Sequence, residues 1–94
     1  MMRNEIYKAL VENGYSDKSA NLVLCDLMQL SAPLDDYLTE WIETGCCKDY
    51  AVDGFSIFDF QKNRKMKYPA ALLTMDWLIK EPEKAIKSLT KGRR

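Results

Sequence analysis

The sequence contains no histidine. That absence removes imidazole from every catalytic role: acid–base work, Ser-His and Cys-His nucleophile pairs, and metal ligation. Cysteine is scarce and odd in number, with Cys25, Cys46 and Cys47. An odd count argues against a disulfide framework and for a reducing compartment. Adjacent Cys46 and Cys47 are poorly placed to chelate one zinc ion. A structural zinc site takes four Cys or His ligands, and only Cys25 remains to help. Packing as small apolar side chains, or incidental placement, is the simpler reading of the pair. The four glycines (14, 45, 54 and 92) are isolated, each near the end of an expected element, so no glycine-rich phosphate loop is present. Long apolar runs are missing too. The longest, Pro69 to Met75, falls far short of the ~18 apolar residues that a membrane span needs. No leader-like apolar run follows Met1-Met2-Arg3. The chain therefore reads as soluble and cytoplasmic, with no cofactor, no metal and no membrane partner expected.

What is present is globular in character. Ninety-four residues, 47% of them hydrophobic, with aromatics spread along the chain, suit one small domain spanning 1–94. A domain of this size buries roughly 60% of the surface of its unfolded chain, so the halves are expected to share one core. Charge is sharply divided. Residues 1–60 carry four bases and eleven acids, a net of −7, and residues 61–94 carry ten bases and three acids, a net of +7. Such a dipole affects steering and partner choice without naming a partner.

Helical periodicity dominates. A first helix is predicted over about 2–13, with Met2, Ile6, Ala9 and Leu10 on one face and Gly14 at its left-handed end. Ser16 is a plausible N-cap for a second helix over 17–30, where Ala20, Val23, Leu24, Leu27 and Met28 fill the i, i+3, i+4, i+7, i+8 template. Leu34, Tyr37, Leu38, Trp41 and Ile42 repeat the template in a third helix, with Pro33 in its first turn and Gly45 after its end. The stretch 46–54 reads as a connection, with Asp53-Gly54 as a turn signal. Ser56 and Asp59 then form a capping box, and Phe55 and Phe60 a hydrophobic staple, for a fourth helix reaching about Met66. A short strand at 55–60 is the competing reading, because aromatics favour strands. Tyr68-Pro69 opens a helix to Ile79 that is apolar nearly all round and belongs at the centre of a bundle. Pro82 ends it and begins a last helix with Pro82, Ala85, Ile86 and Leu89 in register, followed by a frayed basic tail, 91–94. The expected fold is all-α: a compact bundle of five or six short helices in a single domain.

Several groups invite a functional reading. Asp35, Asp36, Glu40 and Glu43 lie mostly opposite the Leu34/Leu38/Trp41 stripe, as a solvated helix face does. Asp76 is the lone acid of the apolar helix, and Lys80 stands one turn later as its natural partner. The segment Lys62-Asn63-Arg64-Lys65-Met66-Lys67-Tyr68 concentrates four cations beside an aromatic. It fits a protein partner, a phosphate backbone, or an intramolecular acidic face. Tyr15, Tyr50, Phe55 and Tyr68 are the aromatics that the helical stripes account for least, and they are the expected anchors of a contact surface.

Two resemblances follow from these residues. The stretch Ile6 to Ile42, with Asn13-Gly14-Tyr15 between two short helices, resembles ubiquitin-associated three-helix modules, whose Gly-aromatic turn helps bind partners. The segments Asp49 to Ser56, Leu72 to Leu78 and Glu81 to Ala85 are similar to small uncharacterised Firmicute proteins often associated with mobile elements. The second resemblance implies an accessory, regulatory or inhibitory role and no catalytic residue. The expectation is thus a non-enzymatic protein-binding module. A nucleic-acid-binding accessory protein is the alternative, using Lys62, Arg64, Lys65 and Lys67 with Lys91, Arg93 and Arg94. Head-to-tail self-association of acidic and basic halves is a third reading.

Overall fold

A computed structural model describes residues 3–91. Met2, Gly92, Arg93 and Arg94, which entered the expectations above, lie outside the described residues. The described chain is all-α, with six helices: α1 (Arg3–Glu12), α2 (Asp17–Leu27), α3 (Ala32–Thr44), α4 (Ile57–Asn63), α5 (Tyr68–Lys80) and α6 (Pro82–Lys91). One small hairpin, β1 (Ala51–Val52) and β2 (Phe55–Ser56), precedes α4. Contacts divide the chain into two units, Met1–Cys47 and Lys48–Arg94.

In the first unit α1 packs on α2 and on α3. Ile6 and Leu10 of α1, Ala20, Leu24 and Leu27 of α2, and Leu34, Leu38 and Trp41 of α3 are buried. Each buried aliphatic contributes roughly 1.5–3 kcal/mol relative to exposure. Local chemistry fixes the turns between these helices. Gly14 has φ 93°, a left-handed value that a Cβ disfavours. The N–H of Gly14 reaches the Val11 carbonyl, and that of Tyr15 reaches the Leu10 carbonyl, both at 3.1 Å. This pair of bonds is a Schellman end for α1. Ser16 follows at once as N-cap of α2, accepting from the Ser19 N–H at 3.2 Å. α2 stops at Leu27, short of the expected residue 30. The Gln29 N–H has turned to the Asp26 carbonyl, a tighter i−3 bond. Met28 is therefore 50% exposed and leaves the core stripe on which it was expected.

The Tyr7 hydroxyl donates to the Asp17 carboxylate, tying α1 to the start of α2. That bond first, then lost hydration and the Asp17 charge, raises the hydroxyl above its ordinary pKa of 10.0. A raised folded-state pKa favours the fold below the unfolded value, and the contribution is lost as pH climbs through the folded one. Ultraviolet titration of wild type and Asp17→Asn should differ by one tyrosine, Tyr7, which ionises at lower pH in the variant; identical titrations rule the coupling out.

The second unit begins with the hairpin. Val52 pairs with Phe55 and Ala51 with Ser56. Asp53 (φ 52°) and Gly54 (φ 85°) are both left-handed, as a two-residue type I′ turn requires. A Cβ at Gly54 would meet nothing within 4 Å, so the demand for glycine is conformational. The sequence predicts a connection over 46–54 with a turn at Asp53-Gly54, and a helix with a strand as its competitor at 55–60. Both occur, since β2 runs directly into α4. The junction works because the first three N–H groups of α4, which no helix can satisfy internally, all find acceptors. Ile57 donates to the Tyr50 carbonyl at 3.1 Å, Phe58 to Asp49 Oδ1 at 2.9 Å, and Asp59 to Ser56 Oγ at 3.1 Å. Asp49 Oδ1 also accepts from the Tyr50 N–H at 2.9 Å. Asp49→Ala should thus cost about 1–2 kcal/mol, at the upper end for a lost cap. A urea midpoint unchanged from wild type would show that water replaces the carboxylate without loss.

α5 lies at the centre of this unit and packs on α4, α6 and β1. Pro69, Ala71, Leu72, Met75 and Leu78 are buried, as the apolar run foretold, and Tyr68 is buried with them. Asp76 is buried and meets Lys80 Nζ at 2.8 Å, one turn on. In α6, Ala85 and Leu89 are buried and Ile86 is half-buried. Pro82, expected on the same stripe, is exposed at the helix start.

Candidate contact surface

The basic segment follows α4, and its conformation sorts its side chains. α4 ends at Asn63, three residues short of the expected Met66, with Arg64 as C-cap. The Arg64 and Met66 N–H groups both reach back to the Phe60 carbonyl, at 3.1 and 3.3 Å. Between them Lys65 takes φ 56°, a left-handed value uncommon for a residue with a long side chain. Lys62, Lys65 and Lys67 emerge exposed. Arg64 does not. It is half-buried, and its Nη2 donates to the Leu89 carbonyl in the last turn of α6 at 2.6 Å. A charge-assisted bond of this kind contributes about 1.5–3 kcal/mol. Arg64 was expected among the contact cations. It is instead a clamp between α4 and α6, because its planar fork suits carbonyls at a helix C-terminus.

The expected aromatic anchors divide in the same way. Phe55 is 5% exposed and stacks on Phe60, with centroids 5.9 Å apart and planes inclined by 28°. This is the staple that the spacing predicted, and it takes Phe55 out of the surface. Tyr68 is 3% exposed. Its hydroxyl accepts from the Lys48 N–H at 3.3 Å and donates to the Lys48 carbonyl at 3.1 Å. Both rings are core residues, a correction that follows from the hairpin and α5 closing over them. Tyr68→Phe should cost about 1 kcal/mol, by removing two bonds to one backbone residue. Thermal unfolding of the pair of proteins measures it, and equal midpoints would dismiss the latch. Tyr15 and Tyr50 are half-buried, and their backbones close the α1 turn and the base of the hairpin.

Phe58 was not singled out in the sequence, yet it is 44% exposed. It stands on the outer face of α4, away from buried Ile57 and Phe60, with Lys62 one turn later. Its signal was legible in principle: with Phe55 and Phe60 assigned to the staple, Phe58 is the aromatic left over. Leu22, at 67%, is exposed on the side of α2 opposite its core residues. It is a single side chain among polar neighbours, which is ordinary for a surface.

The remaining candidates are quieter. Asp35, Asp36 and Glu43 are exposed and Glu40 is half-buried, as a solvated face should be. Cys25, Cys46 and Cys47 are all exposed, so the pair does not pack into a core. Lost hydration, then the neighbouring Cys46, raises the Cys47 thiol above its usual pKa, which makes it a poorer nucleophile at neutral pH. Among the described residues no group of three or more Cys, Asp or Glu is placed to hold a metal ion. No helix among them is long and apolar enough to cross a membrane. A groove of about 240 Å³ in the first unit is lined by Glu5, Lys8, Ala9, Glu12 and Ile42. An open cleft of about 310 Å³ at the start of α6 is lined by Glu81, Pro82, Glu83 and Lys84. The surface that gathers an aromatic and several cations is the outer face of α4 and the turn after it, Phe58 to Lys67. No protein-family model matches this chain, and neither a curated protein nor a solved structure is similar enough to match it.

Proposed function

We propose that this chain is a non-enzymatic accessory protein that works by binding another protein, through the outer face of α4 and the turn that follows. The observation carrying this reading is Phe58: a phenyl ring 44% exposed on a helix whose other aromatic residue, Phe60, is fully buried. An exposed aromatic with a cation one turn later has the make-up of a binding hot spot, an apolar anchor beside a charged rim. Lys62 and Lys65 supply that rim and favour an acidic partner surface. A regulatory or inhibitory role in a mobile-element setting is the biological form that the resemblance of the C-terminal half implies.

Affinity capture from the native host tests the reading, with wild type and Phe58→Ala side by side at low and high salt. A partner held by the wild type and lost with Phe58→Ala is the expected result. Identical sets of retained proteins for the two baits would end it. The alternative, a phosphate backbone held by Lys62, Lys65 and Lys67, is favoured by their exposure in one short turn. It requires duplex DNA binding that weakens with salt, with a slope of roughly −0.9 per phosphate neutralised.

A further inference from the structure

Four exposed lysines lie within two residues of the ends of one hydrogen bond. The Arg64–Leu89 bond, at 2.6 Å, holds the end of α4 against the last turn of α6. Lys62 and Lys65 lie two residues and one residue from Arg64, and Lys87 and Lys91 lie two residues either side of Leu89. All four are exposed. On α6, Lys84, Lys87 and Lys91 follow i, i+3, i+7 spacing on the side away from buried Ala85 and Leu89. Lys84 already leans on Glu81, at 3.3 Å.

Most acids of this unit are engaged elsewhere. Asp49 caps α4, Asp59 accepts from Asn63 Nδ2, and Asp76 holds Lys80. Asp53 is exposed in the hairpin turn, and Glu83 stands one turn before Lys87, the i, i+4 place of a surface pair. The four lysines are thus exposed within two residues of either end of one contact. Lys65 adds a backbone cost, since glycine or asparagine would occupy φ 56° more readily. Exposed cations brought near one another in this way complement an anionic partner.

We propose that these cations form a docking site for an acidic segment of a partner protein, with Lys87 and Lys91 of α6 supplying half of it. The proposal rests on the protein-binding reading and extends that surface from α4 to α6. One observation favours a peptide over a nucleic acid. Phe58, one turn before Lys62, offers an apolar anchor that a phosphate backbone does not use.

Fluorescence anisotropy provides the test, with the full chain, a labelled peptide of Glu and Asp around a central leucine, and a labelled duplex DNA. The peptide should bind at low salt, and Lys87→Gln with Lys91→Gln should weaken it about tenfold. Lys65→Gly should melt higher, because glycine adopts the left-handed φ without strain, and should bind more weakly. Peptide affinity unchanged in the α6 variant would overturn the site. If Phe58→Ala still abolished partner capture, the broader protein-binding reading would survive that result. Duplex DNA bound more tightly than the peptide would overturn the choice of partner, and binding of neither probe would overturn the site altogether.

Discussion

Phe60→Ala should destabilise the protein by about 3–5 kcal/mol, the range for deleting a fully enclosed aromatic side chain. Phe60 is 0% exposed and stacks on Phe55, which anchors the hairpin to α4. α4, which carries it, packs on α5, the central helix of its unit. Alanine would leave a void bounded by a ring on one side and a helix on the other, and neither can collapse freely to fill it. Against a total stability of roughly 5–15 kcal/mol for a small domain, the loss is a large share. Equilibrium unfolding in urea measures it. A change below about 1 kcal/mol would mean that the staple contributes little and that α4 is held by its caps.

Two residues earlier, Phe58→Ala should do the reverse. The ring is 44% exposed, so stability should stay within about 0.5 kcal/mol of wild type. Its N–H, which donates to Asp49, belongs to the backbone and survives the substitution. Affinity for the partner should fall by at least about 2 kcal/mol, roughly thirty-fold, as when a hot-spot aromatic is truncated. Titration of the isolated partner against both proteins gives the number. A loss of stability comparable to that of Phe60→Ala would show that Phe58 is a packing residue and remove the anchor from the surface. Phe58 and Phe60 are alike in the sequence, and α4's geometry sends one outward and one inward, about 200° apart around the axis.

Much of the helical layout is legible in the chain. Ile6/Leu10, Leu24/Leu27 and Leu34/Leu38/Trp41 are buried as their spacing required, because the 3.6-residue period leaves few faces on which to place them. Ser56, Asp59, Phe55 and Phe60 formed the predicted cap and staple. Both are local devices, complete within six residues. Backbone closure is less legible. The sequence marks Asp53-Gly54 as a turn and leaves a strand open at 55–60, but two-residue strands carry no alternation that would join them into a hairpin. The ends of α2 and α4 moved inward because backbone bonds at Gln29, Arg64 and Met66 close early, and side-chain periodicity does not register such closure.

The contact surface was half legible. A basic run announces cations but not their directions. Nothing in Lys62 to Lys67 distinguishes Arg64, which turns inward to a carbonyl twenty-five residues away, from the lysines on either side. Tyr68 likewise reads as an available aromatic until its hydroxyl is seen bonded to Lys48, twenty residues before it.

By itself the sequence determined the all-α character of this protein, most of its helix starts, the absence of imidazole chemistry and the division of charge. These follow from composition and from bonds between near neighbours, whose energies do not depend on where the rest of the chain goes. Only the tertiary structure decided which aromatics are exposed and which are core, which cation is a clamp, and that the end of α4 meets the last turn of α6. Those outcomes depend on packing between residues twenty or more positions apart. The free energy of burying or pairing a side chain is set by what the fold brings against it.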